Sequence, residues 1–148
     1  MENSNRTMFR AYNKDWKMMT NDITKIDFDG DKIFSVSFTI ETTDGQKHTE
    51  VWEDIGVDLV LMQSTGILDC NGKPIFESDI VKQKNVDRLG IIKFGDYMVD
   101  GEDYYSNYAT AGFYIDYGKN DDDTSYIRGD EVEIIGSIYE NPELLKNK

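Results

Sequence analysis

Three short stretches hold the residues whose types and spacing could do chemistry. DFDGDK (27–32) places three carboxylates and a glycine within six residues, in the manner of a calcium loop. An EF-hand loop needs oxygen ligands at positions 1, 3 and 5, glycine at 6 and glutamate at 12. Counted from Asp27, glycine falls at position 4 and position 12 is Phe38, so the spacing fails. Counted from Asn120, Glu131 reaches position 12, but Ser125 holds the glycine place and no helical pattern flanks the run. A weak surface cation site is the most this second run could support. Cys70 and His48 are the chain's one cysteine and one histidine, which is unlike the Cys- and His-rich sets that hold zinc. Cys70 lies between Asp69 and Asn71, and a neighbouring carboxylate raises a thiol's pKa, which works against a reactive thiolate. Ser64 and Thr65 lack the glycine frame of a nucleophile elbow, and neither GxGxxG nor a P-loop occurs. The expectation is a non-enzymatic protein with no catalytic residue, no cofactor and no metal centre.

The elements that would position such residues read as strands. IFSVSFTI (33–40) alternates apolar and small polar residues with period two, as a half-buried strand does. Asp44-Gly45 supplies a positive-φ turn and KHTEVWE returns, so 33–53 reads as a hairpin. MFRAY, Asn13-Lys14-Asp15 and WKMM make a second hairpin, and ITKIDFD (23–29) can join either. IVKQK (80–84), GIIKF (90–94), AGFYIDY (111–117) and EVEIIGSIY (131–139) continue the β pattern. Helix is expected over DIGVDLVLM (54–62) and in the tail over 141–147. There Asn141 can cap, Pro142 suits the first helical position and Glu143 faces the positive end of the dipole. GKNDDDTSYIRGDE (118–131) reads as an acidic surface loop.

With 148 residues the chain suits one domain, whose hairpins occupy 1–60 and whose second part spans 61–148. No apolar run reaches the ~20 residues needed to span a bilayer, and MENSNRTMFRAYNKDW carries no secretory hydrophobic run. The lone cysteine gives no intramolecular disulfide, which suits a cytoplasmic protein away from membranes. Net charge is −13, divided as +2 over 1–20, −7 over 21–60, −1 over 61–100 and −7 over 101–148. A phosphate backbone is repelled by such acidic flanks, because nucleic-acid affinity comes largely from Lys and Arg displacing counterions. Tyrosines amid carboxylates in DYYSNYATAGFYIDY (103–117) suit a basic protein partner better than bases. Glu102, Asp103, Tyr104, Tyr105, Asp116, Asp121, Asp122 and Asp123 are therefore the candidate partner-binding residues.

LMQSTGILDCNGKPIFESDIV (61–81) resembles the signature of the YopX family, small proteins encoded by phages and prophages of mainly Gram-positive bacteria. MFRAYNKDWKMM resembles the family's opening and EIIGSIYENPELL its closing segment, in the same order. The family commonly has an aromatic residue where Ser64 stands and glycine where Ser78 stands. The resemblance implies a mainly β fold with a small SH3-like barrel, additional hairpins and short helices, and it implies homo-oligomerisation. It supplies no catalytic residue. Read from the residues, the signature is turn-rich scaffold, with Gly66, Asp69, Gly72, Pro74, Asp79, Gly136, Tyr139, Asn141 and Pro142 as its structural positions. The expected function is that of a phage accessory protein in the host bacterial cytoplasm, binding a host protein, a basic nucleic-acid-binding or defence protein, through acidic surfaces. The alternative is a nucleic-acid-associated small barrel using Lys82, Lys84, Arg88 and Lys93.

Overall fold

Period-two alternation becomes strand on both sides of the chain's midpoint. The computed structural model describes residues 8–53, 59–99, 108–118 and 123–146. Its strands fall into two compact units, Met1–Gln63 and Ser64–Lys148.

In the first unit, β1 (Phe9–Asn13) and β2 (Met18–Thr20) form a hairpin whose turn is tied by Asn13 Oδ1 accepting from Trp16 N at 2.9 Å. β3 (Ile23–Asp29), β4 (Lys32–Glu41) and β5 (Lys47–Glu53) make an antiparallel sheet in that order. Gly30 and Gly45 supply the left-handed residues of its two tight turns, with φ of 63° and 81°. One face of this sheet buries Val36, Phe38 and Trp52 with Ala11 of β1, and Ile23, Ile33, Leu59 and Leu61 pack around them. The Phe38 and Trp52 rings meet edge to face at 4.6 Å, a geometry that adds to the area they bury.

The helix expected over 54–62 is corrected for the part described. Leu59–Met62 opens β6 (Leu59–Leu68), whose residues 59–63 pair with β1 from Asn13 back to Phe9. Leu59 and Leu61 alternate onto the Val36–Trp52 core, so cross-strand pairing and burial outweigh a weak local helical preference. Residues 54–58 lie outside the described residues.

In the second unit, β7 (Pro74–Phe76) pairs with the later half of β6. β8 (Asp79–Gln83), β9 (Leu89–Val99), β10 (Tyr108–Asp116), β11 (Thr124–Ser125) and β12 (Val132–Ser137) form an antiparallel sheet ordered β11-β10-β9-β8-β12. Ile75, Val81, Ile92, Ile115, Tyr117 and Val132 are its buried core, flanked by Ile67, Ile127 and Ile134. A Cβ on Gly90 would lie 2.3 Å from Ile115 Cγ2, so glycine there lets β9 close on this core.

The sheet curls, and paired glycines are the cause. Gly95 and Gly112 face each other across β9 and β10 with φ of 150° and 152°, a region open only to glycine. In a flat ladder the Met98–Ala109 pair would stand seven residues, roughly 23 Å at 3.3 Å per residue, from the Asp116–Thr124 pair. Instead Thr124 Oγ1 donates to Met98 O at 3.1 Å, so the far half of the hairpin turns back toward β11. The fold is mainly β, as the alternation predicts.

The tail forms a 3-10 turn over Pro142–Leu145 rather than the helix expected over 141–147, of which residue 147 lies outside the described residues. Asn141 makes no side-chain cap there, because its Oδ1 turns back to accept from Ser137 N at 3.3 Å. Four residues with one cap diverted do not sustain an α-helical nucleus. No helix among the described residues is long and apolar enough to cross a membrane.

Candidate functional site

The turn at 69–73 is built around one carboxylate. Asp69 N donates to Lys73 O at 2.7 Å and Gly72 N to Asp69 O at 3.0 Å, with Gly72 left-handed at φ 78°. Asp69 Oδ1 accepts from Asn71 N and Lys73 N, each at 2.9 Å, and Oδ2 accepts from Ile134 N at 3.0 Å. Cys70 N donates to Val132 O at 3.0 Å. The turn therefore occupies the edge of β12 that β8 does not, covering polar groups that would otherwise invite another strand. Burial tends to raise the Asp69 carboxyl, but the N–H groups of Ile134, Lys73 and Asn71 outweigh it and hold the group below its ordinary value. Gly66, left-handed at φ 78°, and Pro74, paired with Leu68 at the start of β7, set the approach and exit. Ser64 is buried opposite Phe76, and its Oγ accepts from Gly66 N at 3.2 Å.

The second turn of the signature carries strain. Asp79 is 1% exposed and its Oδ2 accepts from Phe76 N at 2.8 Å. Ser78 has φ of 72°, while its N–H donates to Ile92 O at 2.8 Å and its C=O accepts from Ile138 N at 3.0 Å. Those two bonds hold a serine in the left-handed region that disfavours a Cβ by roughly 1–2 kcal/mol. Glycine relieves this and adds back roughly 0.4–1 kcal/mol of unfolded-chain entropy. Ser78→Gly is therefore expected to stabilise the protein by about 0.5–1 kcal/mol, read as a higher urea midpoint at unchanged slope. At the other end, a Cβ on Gly136 would lie 2.5 Å from Asn141 Oδ1, so the β12 bulge and the tail turn interlock. Tyr139 is half-buried in that turn.

Two arginines organise the acidic end of the unit. The Arg88 guanidinium lies 3.8 Å above the Tyr117 ring and pairs with Asp123. Tyr117 N donates to Asp123 O at 2.9 Å, which holds these two residues together. Burial pushes the Tyr117 phenol up, the Arg88 charge opposes this, and Glu131 adds to it. Arg128 is held differently: its Nε donates to the Tyr126 hydroxyl at 2.9 Å, its Nη2 donates to the same oxygen, and Nη1 meets Glu131 Oε1 at 3.1 Å. Between them a recess of about 20 Å³, lined by Gln83, Tyr117, Ser125, Tyr126, Arg128 and Glu131, has room for one water.

Of the candidate partner-binding residues, Asp116 and Asp123 belong to this network. Asp116 Oδ2 meets Lys93 Nζ at 2.5 Å and Asp123 holds Arg88, with side chains 20% and 18% exposed. Glu102, Asp103, Tyr104, Tyr105, Asp121 and Asp122 lie outside the described residues. Sequence reasoning missed the aromatic seats of Arg88 and Arg128. For Arg128 a local signal exists, since Tyr126 and Glu131 lie within three residues of it; for Arg88 none does, its partner Asp123 being 35 residues away.

The fold has solved counterparts. The crystal structure of protein EF1440 from Enterococcus faecalis superposes with a TM-score of 0.63 at 23% identity, covering 95% of this chain and 99% of that one. No match was found among curated proteins. The profile of the family described as YopX protein matches residues 8–146, nearly the whole chain and all three segments in which the resemblance lies. This chain belongs to the YopX family.

Proposed function

We propose that this protein is a non-enzymatic phage accessory protein of the host bacterial cytoplasm, binding a basic host protein through its acidic surface. The observation that supports the reading is how the charges are spent. In the second unit Lys82, Arg88, Lys93 and Arg128 each face a carboxylate of the same unit. Asp96, Asp130, Glu140 and Glu143 are exposed and make no ion pair among the described residues. In the first unit Asp29, Asp31, Glu41, Glu50 and Glu53 are likewise exposed. Those four cations are neutralised within the unit, and the exposed carboxylates outnumber the exposed Lys73, Lys84 and Lys146, an outward negative surplus that steers encounter with a positive partner. The same pairing takes Lys82, Arg88 and Lys93 away from the direct nucleic-acid reading. The curled five-stranded sheet serves in this reading as a small SH3-like barrel frame, assembled as a homo-oligomer.

Exposed charge pairs are screened over a Debye length of roughly 10 Å at 0.1 M salt and roughly 3 Å at 1 M. Affinity capture from host lysate is therefore expected to recover a basic protein at low salt and to lose it at high salt. Recovery of nothing at either salt sinks the proposal.

A further inference from the structure

The Arg88 seat described above has a simple design: an aromatic face carries the guanidinium and a carboxylate takes one of its N–H groups. Arg88 has Tyr117 and Asp123 in these roles, whereas Arg128 donates to the Tyr126 hydroxyl and to Glu131. A second set of such groups, an aromatic face beside a carboxylate, stands on the far half of the β9–β10 hairpin without an arginine among the described residues. Phe94 pairs across the ladder with Phe113, their rings meeting at 4.9 Å and 62°. Asp96 follows two residues later on the same face by register, opposite the small side chain of Ala111, with Met98 beyond it. The register runs through the glycine pair without a shift, so the alternation is kept. Phe94 is 63% exposed and Met98 37%, and Asp96 is exposed with no ion-pair partner among the described residues. The same face at Ile92 and Ile115 is core, so these rings continue an apolar stripe out into solvent.

We propose that this strip, Phe94, Phe113, Asp96 and Met98, binds an arginine side chain presented by a protein partner. The guanidinium would stack on the exposed Phe94 ring while its N–H fork engages Asp96, with Met98 against the aliphatic stem. Arginine fits this strip better than lysine because a planar fork can stack and bind a carboxylate at once, whereas an ammonium is a strongly hydrated point charge. The inference rests on the acidic-surface reading for the partner's charge and adds which residue of it is gripped, and where.

The test uses two probes of equal charge, a ten-residue arginine peptide and a ten-residue lysine peptide, titrated at low salt against the full chain. An exposed cation–π contact contributes roughly 0.5–1 kcal/mol and a partly desolvated one roughly 2, so a preference for arginine of about three- to thirtyfold is expected. Phe94→Ala should abolish the preference, Phe94→Tyr should keep it, and Asp96→Asn should weaken the arginine peptide several-fold. Because Phe94 and Asp96 are exposed, circular dichroism should be unchanged in all three variants and the urea midpoint unchanged in Phe94→Tyr and Asp96→Asn, while Phe94→Ala, which loses the contact with Phe113, should lower the midpoint slightly. Equal binding of both peptides to the wild type, or a preference that survives Phe94→Ala, overturns the strip and leaves the acidic surface standing. Binding of neither peptide overturns both readings. Sedimentation showing a wild-type dimer that Phe94→Ala dissolves assigns the strip to a second copy and overturns the arginine seat.

Discussion

Asp69→Ala is expected to lower the unfolding free energy by about 4 kcal/mol and Asp69→Asn by about 2, from the roughly 1–3 kcal/mol lost per buried polar group left unpaired. Asp69 is 5% exposed and satisfies three backbone N–H groups with its two oxygens. Alanine orphans all three. Asparagine can keep its oxygen on Asn71 N and Lys73 N, but then its amide nitrogen faces Ile134 N–H, two donors with no acceptor between them. Against a typical stability of roughly 5–15 kcal/mol, either change is a large fraction of the total. Urea midpoints with unchanged slope measure it; a shift below half a kilocalorie for Asp69→Ala would contradict the role given to this residue.

The same residue sets an acid limb. Its folded carboxyl lies below the ordinary value near 3.8, so its contribution is fully present above that pH. It is lost as pH falls through the depressed folded value, where the native carboxylate takes up its proton. The gap between wild type and Asp69→Asn should accordingly hold at neutral pH and narrow under acid, below about 3.8. A gap that widened as pH fell would reverse the assigned sign.

Gly129→Ala is expected to cost about 3 kcal/mol or more, the upper range of overpacking in a closed site. A Cβ at Gly129 would stand 1.9 Å from Leu68 O and 2.8 Å from Ile67 Cγ2. The first obstacle is backbone, held by the Leu68–Pro74 pairing, and it has no rotamer with which to yield. The approach needs glycine for space alone, so any side chain should fail there, with alanine the mildest. Gly129 opens the 3-10 turn that leads into β12, and the Asp69 turn grips that strand two residues beyond its start at Ile134. Both substitutions loosen one seam. The double variant should lose less than the two single losses added, by at least about 0.5 kcal/mol, the coupling expected of residues that share a structure. Strict additivity in a double-mutant cycle would show the seam to be two separate features.

The two arginine seats give this unit a polar counterpart to its apolar core. Arg88 ties the 83–89 turn to the end of the acidic loop, and Tyr117, the aromatic member of that seat, is also core. Charge-assisted contacts of this kind are stronger than neutral ones when partly buried, and Asp123 at 18% exposure meets that condition. Acidic residues in this region thus do two things. Asp116 and Asp123 close the fold on Lys93 and Arg88, while Asp96 and Asp130 face outward and give the surface its sign.

What the amino-acid sequence determined by itself was local. Alternation at 33–40 and the short β-rich runs after residue 80 became strands, and Asp44-Gly45 became the turn between β4 and β5, because period two and turn chemistry act over a few residues. The signature and its two flanking segments were enough to identify the family. Tertiary structure decided the rest. Residues 59–62 carry a pattern that helix and strand can share, and only pairing with β1 resolved it. Ser78 betrays no strain in its identity; its left-handed φ follows from bonds to Ile92 and Ile138 that fix the turn from outside. Ile134 N–H reaches the Asp69 carboxylate across 65 residues, and Arg88 reaches Asp123 across 35. Such partners are chosen by strand order and by the bend at Gly95 and Gly112. A hydrogen bond leaves no periodic trace in the chain, because it depends on where two backbones meet and not on what lies beside either residue.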